Sequence, residues 1–233
     1  MLSGLSKIQS TPDLVDQVYQ SLLDAISAGT LPPGTRVTQE EIAEQMNVSR
    51  SPVLQALRLL KKDGLVQDAP GRGVLIAEMD AEWIGNLYQV RGALDALAAR
   101  LAAERKAVID PAIIKAGRVA ARGKDVKAMI EADIAFHTAI YMASNNPLIF
   151  QTTQLHWVHL RRVMGAVLQS AQREAIWDEH ERIVNAIAAG DAQLAASLSD
   201  AHSTVARENL VARLNEVLQT GATPPARSNS RAG

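Results

Sequence analysis

Cysteine is absent from this chain of 233 residues. The absence excludes disulfide bonds and thiolate metal sites, and it fits a reducing cytoplasm. Aromatic residues make up only 3% of the sequence, so a core of small aliphatic side chains is expected. No stretch approaches the roughly 18 uninterrupted apolar residues of a membrane span, and the start lacks the basic and apolar regions of a secretory signal. We therefore expect a cytoplasmic protein that has no membrane partner.

An excess of basic residues is also missing, because the formal net charge is −1 at pH 7. Residues 1–79 carry seven Lys and Arg against nine Asp and Glu, a net charge of −2. Residues 80–233 carry seventeen against sixteen, a net charge of +1. Any nucleic-acid binding must then depend on a local basic surface instead of the bulk charge.

Residues 49–62 offer such a local surface. Ser49 is suited to cap a helix, and Pro52 falls in its first turn, where the missing N–H is harmless. At about 100° per residue, the apolar side chains gather on one face: Val53, Ala56, Leu57 and Leu60. The opposite face holds Ser51, Gln55, Arg58 and Lys62. Four basic residues and no acid lie between Arg50 and Lys62, which suits a polyanion, although a solvated amphipathic helix has the same pattern.

The elements around this helix predict a winged helix-turn-helix domain over residues 10–78. In order, we expect a helix at 13–28, a very short strand at 36–37, a short second helix, the third helix, and strands at 65–67 and 74–76. Thr38 and Glu41 form the capping-box pattern that opens the second helix. The last two strands flank a turn-rich tip that holds Arg72. Three helices followed by a hairpin in this order are typical of a DNA-binding winged helix.

From residue 80 onward the strand pattern disappears and helical periodicity takes over. We expect helices over residues 80–105, 110–122, 124–143, 147–169, 172–189 and 191–218. Short connections favour an antiparallel bundle, so the fold class is mainly α, with an all-α antiparallel helical bundle over residues 80–218. Residues 219–233 are rich in Gly, Pro, Ser, Ala and Arg and predict a disordered tail.

One carboxylate and three imidazoles in the helical half can form a metal site. Asp133 and His137 are four residues apart on one predicted helix, so they project from the same face. His180 and His202 lie on the last two predicted helices. If they converge inside the bundle, these oxygen and nitrogen ligands suit a divalent transition metal. Spacing alone does not choose among Zn²⁺, Ni²⁺, Mn²⁺ and Fe²⁺, and histidines at such spacing also occur as ordinary surface or core residues.

Several runs of residues carry a resemblance to a known family. In the N-terminal part they are Pro32-Pro33-Gly34, Ile42-Ala43, Val48-Ser49-Arg50-Ser51-Pro52-Val53, Ala56-Leu57, Gly64-Leu65-Val66 and Arg72-Gly73. In the C-terminal part they are Val90-Arg91, Leu94-Asp95, Asp133, Phe136-His137, Asn146-Pro147, His180, Gly190-Asp191 and His202. With these runs the chain resembles the GntR family of bacterial transcription regulators, in the FadR-like subfamily whose all-helical C-terminal domain is called FCD.

The resemblance implies a homodimer that binds a near-palindromic DNA operator, usually as a repressor, and responds to a small carboxylate held in the helical domain. Metal-binding members of the subfamily use one Asp and three His, and Zn²⁺ is the first choice of metal. The matching residues here are Asp133, His137, His180 and His202. Arg91 is the first candidate for contacting the effector, and Arg162 is a weaker one. Arg91 can instead form an ion pair with Asp95, one helical turn later.

The third helix and the wing contain the candidate DNA contacts. Arg50 can present two N–H donors to guanine O6 and N7, or contact a phosphate instead. The further candidates are Ser49, Ser51 and Gln55 for polar contacts, Arg58 and Thr38 for phosphate, and Arg72 for the minor groove, each with a capping, solvated or disordered alternative. Leu54 and Gln55 stand where the family has Arg and Glu. An outward Leu54 can meet a thymine methyl, which predicts an operator that departs from the family's usual one at that base step.

Two other function classes are compatible with these residues. An all-helical metalloenzyme could use the same Asp and His residues to activate water. No general base is evident beside them, because Glu131 lies about 200° from Asp133 around the helix. A purely structural metal or dimerisation module is the third class. His156 and His159 form a rival pair with no carboxylate nearby in their helix, and we interpret them as part of a polar face.

Overall fold

The computed structural model describes residues 14–167 and 173–220. The chain divides into two compact units, of which the first ends at Glu78 and the second begins at Met79. The fold is mainly α, as predicted, with a small sheet in the first unit. Among the described residues, no helix is long and apolar enough to cross a membrane.

The first unit is a winged helix-turn-helix. Its elements are α1 (Leu14–Ser27), β1 (Arg36–Val37), α2 (Gln39–Met46), α3 (Arg50–Lys62), β2 (Val66–Asp68) and β3 (Val74–Ile76). Thr38 opens α2 with the predicted capping box: its hydroxyl accepts from the Glu41 N–H, and the Glu41 carboxylate accepts from the Thr38 N–H. Asn47 ends α2 in the left-handed conformation, with φ of 52°, and so turns the chain into α3.

The wing is an antiparallel sheet with the strand order β1-β3-β2. Leu75 of the central strand β3 pairs with Arg36 of β1 on one side and with Gln67 of β2 on the other. Gly73 adopts φ of +90°, and a Cβ there would lie 2.4 Å from the Val37 carbonyl oxygen. Only glycine allows this approach of the wing tip to β1.

The second unit is all-helical. Its elements are α4 (Ala81–Glu104), α5 (Pro111–Arg122), α6 (Val126–Ala143), α7 (Pro147–Gln154), α8 (Trp157–Val167), α9 (Arg173–Ala189) and α10 (Ala192–Thr220). Side-chain oxygens cap the starts of α4 to α7, from Asp80, Asp110, Asp125 and Asn146. Small and aliphatic side chains fill the centre, and the alanines Ala98, Ala99, Ala102 and Ala103 of α4 are fully buried.

The prediction of a single helix over residues 147–169 is wrong, because the structure has two helices there, α7 and α8, with a turn at residues 155–156. The hydroxyl of Thr153 donates to the carbonyls of Ile149 and Phe150, and the N–H of His156 bonds only three residues back, to Thr153. This tighter turn leaves Leu155 72% exposed and Trp157 only 5% exposed. The apolar pattern continues across the turn, so periodicity alone could not reveal it.

Smaller differences from the sequence predictions concern helix and strand ends. Ser49 occupies the N-cap position of α3, but its side chain makes no capping hydrogen bond. Leu65 is fully buried and precedes β2 instead of belonging to it. The helix α10 extends to Thr220, two residues into the predicted tail, and residues 221–233 lie outside the described residues.

Candidate functional site

The helix α3 presents a polar face to the outside and an apolar face to the core. Val53, Ala56, Leu57 and Leu60 are buried, whereas Ser51, Gln55, Arg58 and Lys62 are exposed, as the periodicity predicts. Leu54 lies at the boundary and is partly buried. The exposed side chains therefore form one continuous surface with no acid on α3 itself.

Arg50 begins this surface and already has an acidic partner. Its Nη1 lies 3.1 Å from Oε1 of Glu40 on α2, and its side chain is 68% exposed. An exposed ion pair of this kind contributes little to stability, so the guanidinium can exchange Glu40 for another acceptor. Glu40 is a competitor that the α3 sequence alone does not reveal.

Thr38 is engaged more firmly than the sequence predicts. Its hydroxyl donates to the Glu41 carboxylate over 2.7 Å, in addition to accepting from the Glu41 N–H. The hydrogen bonds from Thr38 lower the pKa of Glu41, which keeps that carboxylate ionised. A phosphate contact through the Thr38 hydroxyl would have to displace this bond.

Arg72 is exposed at the tip of the wing, and its backbone is held in place. Nε and Nη2 of Arg36 donate to the Arg72 carbonyl over 2.9 and 2.5 Å. The Arg72 side chain can therefore extend from a tip whose backbone is already positioned.

The second unit brings three histidines together. His137 on α6, His180 on α9 and His202 on α10 each offer one nitrogen, and these atoms all lie within 4.8 Å of one another. The Nε2 atoms of His180 and His202 are 3.2 Å apart. Asp133 joins them, because its Oδ1 lies 3.8 Å from Nε2 of His137 and 3.9 Å from Nε2 of His180. The structure thus brings together the four residues that the sequence and its family resemblance offer as metal ligands.

Burial keeps the imidazoles of His137 and His180 neutral. His180 is 0% exposed and His137 5% exposed, and desolvation with the nearby Arg91 charge lowers the pKa of His137 well below its usual value. Desolvation likewise lowers the pKa of His180. Neutral imidazole is the form that binds a metal ion. Burial raises the pKa of Asp133, an effect that the Arg91 charge opposes.

Aromatic rings fix the orientation of His180. The Phe136 ring stacks on the imidazole with 3.7 Å between centroids and an interplanar angle of 14°. Trp177 meets the same imidazole edge-on, 4.7 Å away. With both rings in place, His180 cannot turn its Nε2 away from His202 without disturbing the core.

Arg91 is buried beside the cluster and is 4% exposed. Its Nε lies 3.5 Å from Oδ2 of Asp95, so the ion pair that the sequence offers as an alternative is present. Its Nη2 also lies 3.9 Å from Oδ2 of Asp133. Arg91 therefore lies beside the candidate metal ligands and also forms an ion pair with Asp95 on its own helix. Arg162 is buried too, on α8.

Sequence reasoning missed the contacts across helices that support this cluster. Oε2 of Glu179 lies 2.8 Å from Nδ1 of His202. Asp95 accepts hydrogen bonds from the hydroxyls of Tyr141 and Ser203, so its carboxylate is held between α6 and α10. The one available signal for Glu179 is its place directly before His180, but that neighbour relation does not reveal a contact to α10.

Two family models match the chain. The model for bacterial regulatory proteins of the gntR family matches residues 14–76, and the FCD domain model matches residues 86–204. The chain belongs to the GntR family. It is a transcriptional regulator of this family with an FCD effector-binding domain, not an enzyme, so the metalloenzyme alternative is not supported.

The relatives of this GntR regulator match more than four fifths of its length. The HTH-type transcriptional regulator LutR of Bacillus subtilis is 31% identical, over 83% of this chain and all of LutR. A probable D-xylose utilization operon transcriptional repressor of Paenarthrobacter nicotinovorans is 25% identical, over 83% of this chain and 87% of the relative. The structure of a GntR regulator from Rhodococcus sp. RHA1 superimposes with a TM-score of 0.69 and 26% identity, over 85% of this chain and 97% of that one.

Proposed function

We propose that this GntR regulator represses transcription by binding a near-palindromic operator as a homodimer, and that a small carboxylate at a metal-containing pocket alters its DNA affinity. The observation that carries the proposal is the convergence of His137, His180, His202 and Asp133 beside the buried cation of Arg91. Repression is supported by the relative named as a repressor. Because a repressor must reach its operator, the proposal includes a cytoplasmic location.

In this proposal the outer face of α3 reads the operator. Arg50 contacts guanine, Ser51 and Gln55 contact neighbouring polar groups, and Leu54 meets a thymine methyl. Contacts to the DNA backbone come from Ser49, Thr38 and Arg58, and Arg72 enters the minor groove from the wing. The exposure of Arg50, Arg58 and Arg72 supports these roles, whereas Thr38 must first release Glu41.

Replacing Arg50 tests the DNA interface. Arg50→Ala removes a bidentate base contact, which is worth about 1–3 kcal/mol, so the operator affinity should fall by about 5- to 150-fold. Fluorescence anisotropy with operator fragments selected from random sequence would measure the loss. Arg100→Ala, at an exposed arginine of α4, serves as the matched control and should leave the affinity unchanged. Equal affinities of the two variants would remove Arg50 from the interface.

The donor set fits a resident metal ion. Metal–imidazole bonds of about 2.0–2.1 Å to one ion place two ligands roughly 3.0–3.4 Å apart, and the Nε2 atoms of His180 and His202 are 3.2 Å apart. Three imidazoles and one carboxylate suit Zn²⁺ first and Ni²⁺, Mn²⁺ or Fe²⁺ as alternatives. When bound, the ion supplies a positive centre that attracts a carboxylate. Glu179 holds His202 with Nε2 facing the other ligands.

The effector site then combines this centre with arginine. Arg91 can donate to a carboxylate through Nε and Nη2, neither of which has a hydrogen-bond partner among the described residues. The ring of Trp157 lies 4.6 Å from the Arg91 guanidinium carbon and restricts it to this place. Arg162 is the second proposed contact, from α8.

Metal analysis of histidine variants tests the site. His180→Ala and His202→Ala each remove one ligand, so purified protein should lose most of its metal, and thermal shifts with added metal should disappear. His159→Ala removes a histidine outside the cluster and serves as the control. Retention of the native metal content by both ligand variants would refute the site. A full native response of DNA binding to carboxylates in metal-depleted protein would instead confine the metal to a structural role.

A further inference from the structure

The indole of Trp157 is an unused donor beside the proposed effector site. Trp157 begins α8 and is 5% exposed, yet its Nε1 has no hydrogen-bond partner within residues 14–167 and 173–220. An indole nitrogen can only donate, and buried Trp usually finds an acceptor for it. The remainder of the ring packs in the core, so the N–H is the part of Trp157 that the fold leaves unexplained.

The position of the ring connects this donor with the effector site. The guanidinium carbon of Arg91 lies over the Trp157 ring at 4.6 Å, and the His137 ring centroid is 6.2 Å away. Trp157 therefore contacts Arg91, the proposed carboxylate-binding residue, and lies next to His137, a candidate metal ligand. A ligand bound to Arg91 would therefore lie beside the indole ring.

We propose that Trp157 determines effector specificity by donating its indole N–H to a second oxygen of the ligand, beyond the carboxylate. The inference rests on the proposed carboxylate site. It assigns the pocket to short carboxylates that carry a hydroxyl or carbonyl oxygen close to the carboxylate group. A simple monocarboxylate leaves the Trp157 donor unpaired and binds more weakly, because an unpaired buried donor loses its hydrogen bond.

Calorimetric titration of the full-length, metal-loaded protein with acetate and glycolate tests this role, because these probes differ by one hydroxyl. Native protein should bind glycolate about tenfold more tightly than acetate, as expected for one hydrogen bond. Trp157→Phe keeps the aromatic face over Arg91 and removes the N–H. It should lose the preference for glycolate and bind acetate as native protein does. Trp83→Phe, at a tryptophan that is 44% exposed, is the matched control and should keep the preference.

The outcomes separate this inference from the function on which it rests. A preference for glycolate that persists in Trp157→Phe, or its absence from native protein, overturns the role of Trp157 and leaves the carboxylate site intact. Failure of native protein to bind either acid overturns the carboxylate site and this inference with it. The indole N–H signal in nuclear magnetic resonance spectra, assigned by its loss in Trp157→Phe, should move downfield with glycolate and not with acetate. An unmoved signal contradicts the hydrogen bond without relying on the variant's fold.

Discussion

At the scale of single residues, the contact of Glu179 with Nδ1 of His202 leaves Nε2 of His202 facing the other candidate metal ligands. Its carboxylate lies 2.8 Å from Nδ1 of His202, and the hydrogen bond lowers the pKa of Glu179. An ionised carboxylate only accepts, so Nδ1 of His202 is the donor, and in the neutral imidazole Nε2 then holds the lone pair that would bind a metal ion.

Glu179→Gln should therefore weaken metal binding without removing a ligand. The neutral amide no longer selects the tautomer, and loss of such a supporting partner typically lowers metal affinity by about 10- to 100-fold. Competition with a chromophoric chelator would measure the change. Glu181→Gln, two residues along α9 and paired with Arg118 on the surface, is the control. Matching affinities for the two variants would show that Glu179 has no part in the site.

Residue roles differ in how far the sequence could predict them. The Asp133 and His137 pair follows from helical spacing, because both belong to one helix. Glu179 and Trp157 do not follow, since their partners belong to other helices and depend on how closely those helices approach. The pairing of Arg50 with Glu40 was missed for the same reason, because α2 supplies the acid.

At the scale of elements, the contact between α5 and α9 depends on Gly117. A Cβ at this position would lie 2.0 Å from the ring of Trp177, so α5 approaches α9 more closely than any side chain allows. Trp177 in turn contacts His180 edge-on. Because Gly117 has no side chain, Trp177 can pack against α5 and position His180, a candidate metal ligand on α9.

Gly117→Ala should destabilise the protein although alanine favours helices. Overpacking costs about 1–3 kcal/mol, which exceeds the gain of roughly 1 kcal/mol in helix propensity over most of that range. Urea unfolding would measure the loss, and metal affinity should fall as Trp177 shifts. Gly85→Ala is the control, because a Cβ there meets Val211 at an ordinary 3.6 Å. An unfolding free energy for Gly117→Ala at or above that of Gly85→Ala would contradict the argument.

Element boundaries were predictable where the chain carries its own signals. Thr38 with Glu41, and Asn146 before Pro147, mark helix starts through side-chain caps and proline at the first turn. The turn at residues 155–156 has no glycine or proline, and it is closed by the His156 N–H, which donates to the Thr153 carbonyl. A threonine within a helical pattern does not indicate a helix end, so the sequence predicts one helix where the structure has α7 and α8.

At the scale of the whole molecule, the buried histidines make stability depend on pH. Burial lowers the pKa of His137 and His180 below the usual 6.5. Below pH 6.5 the unfolded chain therefore takes up protons that the folded chain does not, and the unfolding free energy falls as the pH falls. The raised pKa of Asp133 acts in the opposite sense above pH 3.8, but one carboxyl does not cancel two imidazoles.

Metal-free protein should therefore lose stability between pH 6.5 and 5.5, by up to roughly 1.4 kcal/mol per pH unit for each buried imidazole. Urea unfolding at pH 7.5, 6.5 and 5.5 in the presence of a chelator would measure this slope. His180→Phe, which removes one titrating group from the apolar core, should show a shallower slope. Stability that stays level or rises on acidification would contradict the neutral state of these histidines.

The ion pair between Arg50 and Glu40 has a consequence for how salt affects operator binding. Each phosphate neutralised by a basic side chain releases close to one condensed cation from DNA. In the proposed complex Arg50 leaves Glu40 for the operator, so Glu40 would attract a cation from solution, which would offset part of the release at the phosphate contacts. The first unit already has a negative net charge, so we expect the DNA affinity to fall less steeply with added salt than the number of basic contacts alone would predict.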